Sequence, residues 1–133
     1  MRIISGTLKG KSINFIRNFH TRPLKDSVRE NIFNILKHSN SFNIEIKNSN
    51  ILDLYSGIGS FGIECISRGA KTVTFVERNI IFYKLLEENL KNLSIFKQTK
   101  IINNNVENDK IIPDEKYNLI FFDPPYKLSL IHI

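Results

Sequence analysis

From residue 50 onward the chain settles into short apolar runs, ILDLY at 51–55, TVTFVE at 72–77, KII at 100–102 and YNLIFFD at 117–123, separated by stretches of helical spacing at 61–68 and 80–93. Few patterns constrain a fold more. Strands separated by helices pair in parallel through crossovers, so the expected architecture is a doubly wound α/β sheet. Such sheets bind ligands beyond the carboxyl ends of their strands. The chemically unusual residues all fall there: 53–62 after the first run, Glu77 at the end of the second, Asn105 after the third and 123–126 after the fourth.

The stretch DLYSGIGSFG (53–62) holds Gly57, Gly59 and Gly62 in the G-x-G-x-x-G spacing of a dinucleotide site, and Glu77 follows Gly57 by 20 residues, as a ribose-binding acid does. Electrostatics point away from a dinucleotide. Asp53 stands at the strand tip with no Lys or Arg between residues 51 and 67, so the loop repels a pyrophosphate and attracts a cation. S-adenosylmethionine has that character: a sulfonium, an α-ammonium and a ribose, with no phosphate. The glycines let the backbone approach its methionine part, and Glu77 can accept from both ribose hydroxyls. A nicotinamide oxidoreductase is the competing class. Cys65, the single cysteine, reads as a small core residue of the following helix.

FFDPPY (121–126) runs from strand into an acid, two prolines and an aromatic. An exocyclic amine on a nucleobase is a poor nucleophile because its lone pair is delocalised into the ring. Asp123, with a backbone carbonyl held by Pro124 and Pro125, can accept both N–H bonds and localise that pair. Tyr126 can stack on a base turned out of its helix, worth roughly 1 to 3 kcal/mol. DPPY serves any exocyclic amine, so DNA adenine-N6 and cytosine-N4 methylation are alternatives. NLIFF just before it is apolar on both faces, the pattern of a strand flanked by neighbours.

The charge lies at the other end. Residues 1–38 carry eight basic groups against Asp26 and Glu30, whereas the remaining 95 residues balance at eleven of each sign, so the whole net charge of +6 sits on this arm. A basic arm on a neutral body implies a polyanionic partner. Alternation around TLKGK predicts a small hairpin over residues 2–16, and apolar spacing predicts a helix over 24–38 with Lys25 and Arg29 on one face. Residues 39–49 read as a linker and 50–133 as the catalytic unit. The length suits one domain, no internal disulfide can form, and no run approaches the ~18 apolar residues of a membrane helix. The start lacks an apolar signal core, so the expected location is cytoplasmic.

Residues 53–62 and 123–126 resemble the cofactor and amino-methyltransferase motifs, while TRPLKDSVRENIFNIL (21–36) and the opening RIISGTLKGKSI resemble the signature and N-terminal hairpin of bacterial small-subunit rRNA guanine-N2 methyltransferases of the RsmD type. The resemblance implies a Rossmann-like class I S-adenosylmethionine-dependent methyltransferase sheet, preceded by a β-hairpin and helix. It implies methylation of a guanine N2 amine in 16S rRNA, of the guanine-966 type. Its catalytic residues would be Asp123, Pro124, Pro125 and Tyr126. Asp53, Tyr55, Gly57 and Gly59 would hold the cofactor, with Glu77 on the ribose and Asn105 and Val106 on the adenine. Arg22, Lys25 and Arg29 would face RNA. The implied partner is 16S rRNA or the assembling small subunit, met by a monomer without metal or membrane.

Two departures accompany the resemblance. Asn105 stands where many relatives have an acid, and only seven residues follow Tyr126, where the family continues. The expectation is therefore a C-terminally truncated sheet lacking its later strands, inactive by itself or reduced to a non-catalytic RNA-binding fragment.

Overall fold

In the computed structural model, which describes residues 1–15, 26–38, 45–108, 110 and 112–124, four strands form one parallel sheet. They are β1 (Asn50–Leu54), β2 (Thr72–Val76), β3 (Thr99–Ile102) and β4 (Leu119–Phe122), in the order β3-β2-β1-β4. The chain steps outward from β1 to β3 and then returns to the other side of β1. The strand order thus reverses between β1 and β4, which places the topological switch point at their carboxyl ends. Register pairs Asp53 with both Phe75 and Phe121, so Asp53 lies on the central strand one position before the sheet's upper rim.

Period-2 alternation divides the sheet residues between two layers. Ile51, Val73 and Phe75 pack with Phe61, Ile63, Phe82, Leu86 and Leu90 of helices α2 (Ser60–Ser67) and α3 (Ile80–Asn92). Leu52, Leu54 and Val76 face the other way, onto Tyr55, Ile102, Val106, Ile112 and Tyr117. At β4 this second layer gives out: Leu119 and Phe121 pack into the main core, while Ile120 and Phe122 are exposed. Among the described residues β4 is an edge strand with one covered face, and the further neighbour that the pattern of NLIFF calls for is not among them.

All of α2 is buried, because the N-terminal stretch covers the side that the sheet does not. The predicted hairpin is present as a short one: an antiparallel bridge pairs Arg2 with Ser12, and across the arms Ile3 N–H donates to the Lys11 carbonyl at 2.9 Å, Gly10 N–H to the Ile3 carbonyl at 2.8 Å and Ile13 N–H to the Met1 carbonyl at 2.8 Å. Other backbone groups of this stretch bind α2: Ile4 and Ser5 N–H donate to the Glu64 carboxylate at 2.9 and 3.0 Å, and Leu8 N–H donates to Ser67 Oγ at 3.0 Å. Ile3 and Ile13, on the two arms of the bridge, join the core of the sheet. Helix α1 (Asp26–His38) completes this layer, with Phe33 stacked on Phe61 at 5.1 Å and Phe61 on Phe121 at 3.8 Å. Three rings thereby connect α1, α2 and β4. Predicted residues 24 and 25 lie outside the described residues, as does most of the 39–49 linker.

Candidate functional site

The turn after β1 is shaped by steric necessity. Gly59 has φ +92°, and a Cβ there would lie 2.4 Å from Leu86 Cδ1. At Gly62 a Cβ would lie 2.3 Å from the Phe75 ring, so the third glycine lets α2 seat directly on β2. Above Gly57, by contrast, a Cβ would meet nothing within 4 Å, and the loop is open on that side. Tyr55 is held at φ +53°, a left-handed conformation that a bulky residue adopts only when its surroundings demand it. Its ring meets Phe122 edge-on at 5.3 Å, which joins the loop to the end of β4.

Gly59, the residue capping α2, offers no side chain to the helix N-terminus. Asp53 supplies the missing acceptor from the neighbouring strand: its Oδ2 accepts the Gly62 N–H at 3.2 Å. The residue is 1 % exposed, so it lies beneath the loop and not in its open mouth. Burial drives its carboxyl well above the usual range, the Gly62 bond works against that, and the charges of Asp123 and Glu77 push it further up. Asp53, near the end of β1, therefore feels the acids at the ends of β2 and β4. Burial likewise raises Asp123.

Glu77 performs two tasks. Its Oε1 accepts Gly57 N–H at 2.8 Å and its Oε2 accepts Asn79 N–H at 2.7 Å. Asn79 in turn caps α3 by accepting from Ile81 and Phe82 N–H. Each carboxylate oxygen keeps a free lone pair for a ligand hydroxyl. Asn103, which the sequence reading passed over, donates to the Glu77 and Arg78 carbonyls at 2.9 and 3.0 Å and so anchors the β2 exit to the β3 exit. An Asn run in an Asn-rich chain carries no signal that would single it out. Asn105 turns its own loop, with Oδ1 accepting Glu107 N–H at 3.0 Å, and Val106 packs beside Leu54, Val76 and Ile102.

The structure thus brings Asp53, Tyr55, Gly57, Gly59, Glu77, Asn105, Val106, Asp123 and Pro124 to the carboxyl rim of one sheet. Pro125, Tyr126, Arg22 and Lys25 lie outside the described residues. Arg29 requires correction: it is fully buried and cannot face RNA by its side chain. Its Nη2 donates to Asp26 Oδ1 at 3.1 Å and to the Arg2 carbonyl, its Nε lies 3.9 Å from Glu64, and Glu64 also accepts from Arg68 Nε at 2.9 Å. The basic residue one helical turn after Lys25 is a clamp between α1, α2 and the N-terminus. Cys65 is buried as expected, its thiol raised by desolvation first and by nearby carboxylates second, which leaves it inert. Among the described residues no cluster of His, Cys, Asp and Glu could hold a metal, and no helix is long and apolar enough to cross a membrane.

Comparison with known proteins agrees with this fold. The family model described as Conserved hypothetical protein 95 matches residues 1–133. Ribosomal RNA small subunit methyltransferase D of Buchnera aphidicola from Acyrthosiphon pisum is 37 % identical over 129 residues, covering 97 % of this chain and 64 % of the relative. Its namesake in Haemophilus influenzae is 32 % identical over 133 residues, covering 98 % and 66 %. Among solved structures, the yhhF protein of Escherichia coli superposes with a TM-score of 0.78 at 28 % identity, over 98 % of this chain and 67 % of that one. The chain spans about two thirds of the length of the curated relatives it matches. Its sheet is a partial Rossmann-like class I methyltransferase fold. By the match along its whole length, the chain belongs to the family described as Conserved hypothetical protein 95, the RsmD family.

Proposed function

We propose that this protein transfers a methyl group from S-adenosylmethionine to the exocyclic N2 amine of a guanine in small-subunit rRNA. The observation that carries the reading is the meeting of Asp53, Glu77 and Asp123 around an open glycine loop at the switch point of the sheet. A pyrophosphate placed there would face Glu77 and Asp123, with Asp53 beneath the loop. A cationic, phosphate-free cofactor fits the same field.

The donor set agrees with that cofactor. The free side of Gly57 leaves room for its methionine part, the unused lone pairs of Glu77 suit two ribose hydroxyls, and Val106 with Ile102 and Val76 offers an apolar wall for a ring. Bound there, S-adenosylmethionine supplies an electrophilic methyl on sulfur. Asp53 acts through its field from below the loop, while Asp123 accepts an N–H of the base amine and favours the localised lone pair as the reaction proceeds. The backbone carbonyl of Pro124 is the second acceptor and Tyr126 the stacking ring. Arg22 and Lys25 contact rRNA phosphates. The relatives' names and the block at 21–36 favour rRNA as the substrate, and guanine N2 rests on the family resemblance alone.

Calorimetry with the two candidate cofactors tests the reading. S-adenosylmethionine should bind and NAD should not; NAD binding, with no heat from S-adenosylmethionine, would remove the basis of the proposal.

A further inference from the structure

Asn89 is a polar side chain buried in the last turn of α3, 2 % exposed, where helix propensity gives no reason for it. Its amide reaches two segments at once. Oδ1 accepts the Asn14 N–H at 3.0 Å, while Nδ2 donates to the Asn14 carbonyl at 3.1 Å and to the Ile58 carbonyl at 3.4 Å. Rotating the amide by half a turn would face Nδ2 with an N–H and Oδ1 with two carbonyls, so the network fixes its orientation. Both donors are used, as a buried amide requires.

The two segments have different assignments in the reading above. Ile58 lies between Gly57 and Gly59, at the centre of the cofactor loop. Asn14 is the last residue but one before position 16, from which the chain runs into the basic block at 21–36. Leu86, one turn before Asn89 on α3, packs where a Cβ on Gly59 would sit, so this one face of α3 both shapes the loop and holds the N-terminal segment. No other described side chain hydrogen-bonds to both Asn14 and the 57–59 loop.

We propose that Asn89 is a positioning residue that makes ordering of the glycine loop and ordering of the N-terminal segment a single event, so that S-adenosylmethionine and rRNA bind with positive coupling. The RNA arm of this inference rests on the function proposed above. The mechanical arm does not. A cofactor that immobilises residues 57–59 also immobilises the Ile58 carbonyl, and through Asn89 the Asn14 backbone, before RNA arrives. RNA then meets a segment whose ordering cost is already met, and by reciprocity RNA tightens the cofactor.

Amide hydrogen exchange on the wild-type protein and on Asn89→Ser tests the coupling, since one hydroxyl cannot make all three bonds. In the absence of ligand, the variant should exchange faster at Asn14 and across residues 56–59 together, with β2 unchanged. Added S-adenosylmethionine should slow exchange at Asn14 in the wild type and leave it unaltered in the variant. Filter binding of a 16S rRNA transcript should tighten on the order of fivefold or more when S-adenosylmethionine is added to the wild type, and by a factor near one in the variant. Loosening of the loop without Asn14, or a wild-type Asn14 amide indifferent to bound S-adenosylmethionine, overturns the proposal. Should S-adenosylmethionine give no heat in calorimetry, the function proposed above fails instead, and the ligand-free exchange decides the mechanical coupling by itself.

Discussion

Glu77 accepts the Gly57 N–H at 2.8 Å across the gap between the exits of β1 and β2, so the acid assigned to the ribose also holds the loop that faces it. Position and ligand contact are therefore inseparable at this residue. Glu77→Gln keeps the shape but replaces one charged acceptor oxygen with a donor, opposite either Gly57 N–H or Asn79 N–H. Loss of a charge-assisted hydrogen bond costs about 1.5 to 3 kcal/mol, so cofactor affinity should fall by roughly tenfold or more. Calorimetry on the variant checks this; unchanged affinity would separate Glu77 from the cofactor.

Asp53 carries a stability consequence with a definite sign. Its carboxyl is raised in the folded protein, so the native state binds the proton more tightly than the unfolded chain does. The associated stability is fully present below the ordinary carboxylate pKa of about 4 and is lost as pH rises through the higher folded value. Asp53→Asn keeps an oxygen acceptor for Gly62 N–H and removes the buried charge. The variant should match the wild type in acid and melt higher than it near pH 8, while binding S-adenosylmethionine more weakly. Melting curves at both pH values check the first part, and a variant less stable at pH 8 than the wild type would refute it.

The strand and helix succession was legible from residue 50 because each element is set by local periodicity, and observed elements such as Thr72–Val76 and Ile80–Asn92 fall within a residue or two of those predicted. The glycine loop was equally legible, since Gly59 and Gly62 sit where a Cβ would press into Leu86 and the Phe75 ring. Arg29 was misread because helical spacing places Lys25 and Arg29 on one face without saying which side of the helix the fold will cover. What covers it is the N-terminal bridge, a contact 27 residues away in sequence with no periodic signature. Asn89 and Asn103 were missed for a related reason: their partners are backbone groups distant in sequence, and their type is common in this chain.

Gly62→Ala tests the packing reading of the third glycine. The added methyl would enter the Phe75 ring, and overpacking of a tight core costs typically 1 to 3 kcal/mol. Denaturant unfolding should show that loss, with cofactor affinity reduced because α2 is displaced. A fully stable Gly62→Ala would mean that the loop and sheet have more room than the contact implies.

The basic arm and the buried clamp should separate cleanly. Arg29→Ala removes the contacts to Asp26 and the Arg2 carbonyl and leaves a void at a fully buried position, while Glu64 keeps Arg68 and two backbone N–H groups; a large-to-small change in a core costs about 2 to 5 kcal/mol. The salt dependence of RNA binding by whatever fraction folds should be unchanged. Arg22→Ala and Lys25→Ala should do the reverse, each lowering the log–log salt slope by roughly 0.7 to 0.9 with little effect on stability. Salt titrations and unfolding curves on the same preparations distinguish the two behaviours.

The most direct measurement is single-turnover methyl transfer from S-adenosylmethionine to 16S rRNA, with the product nucleoside identified by mass, for the wild type and Asp123→Ala side by side. The account predicts N2-methylguanine from the wild type, and from the variant a rate lower by at least about a hundredfold, as loss of one transition-state acceptor entails, with cofactor and RNA affinity preserved. A stable Asp123→Ala protein that transfers methyl at the wild-type rate, or a wild-type product other than N2-methylguanine, would contradict it.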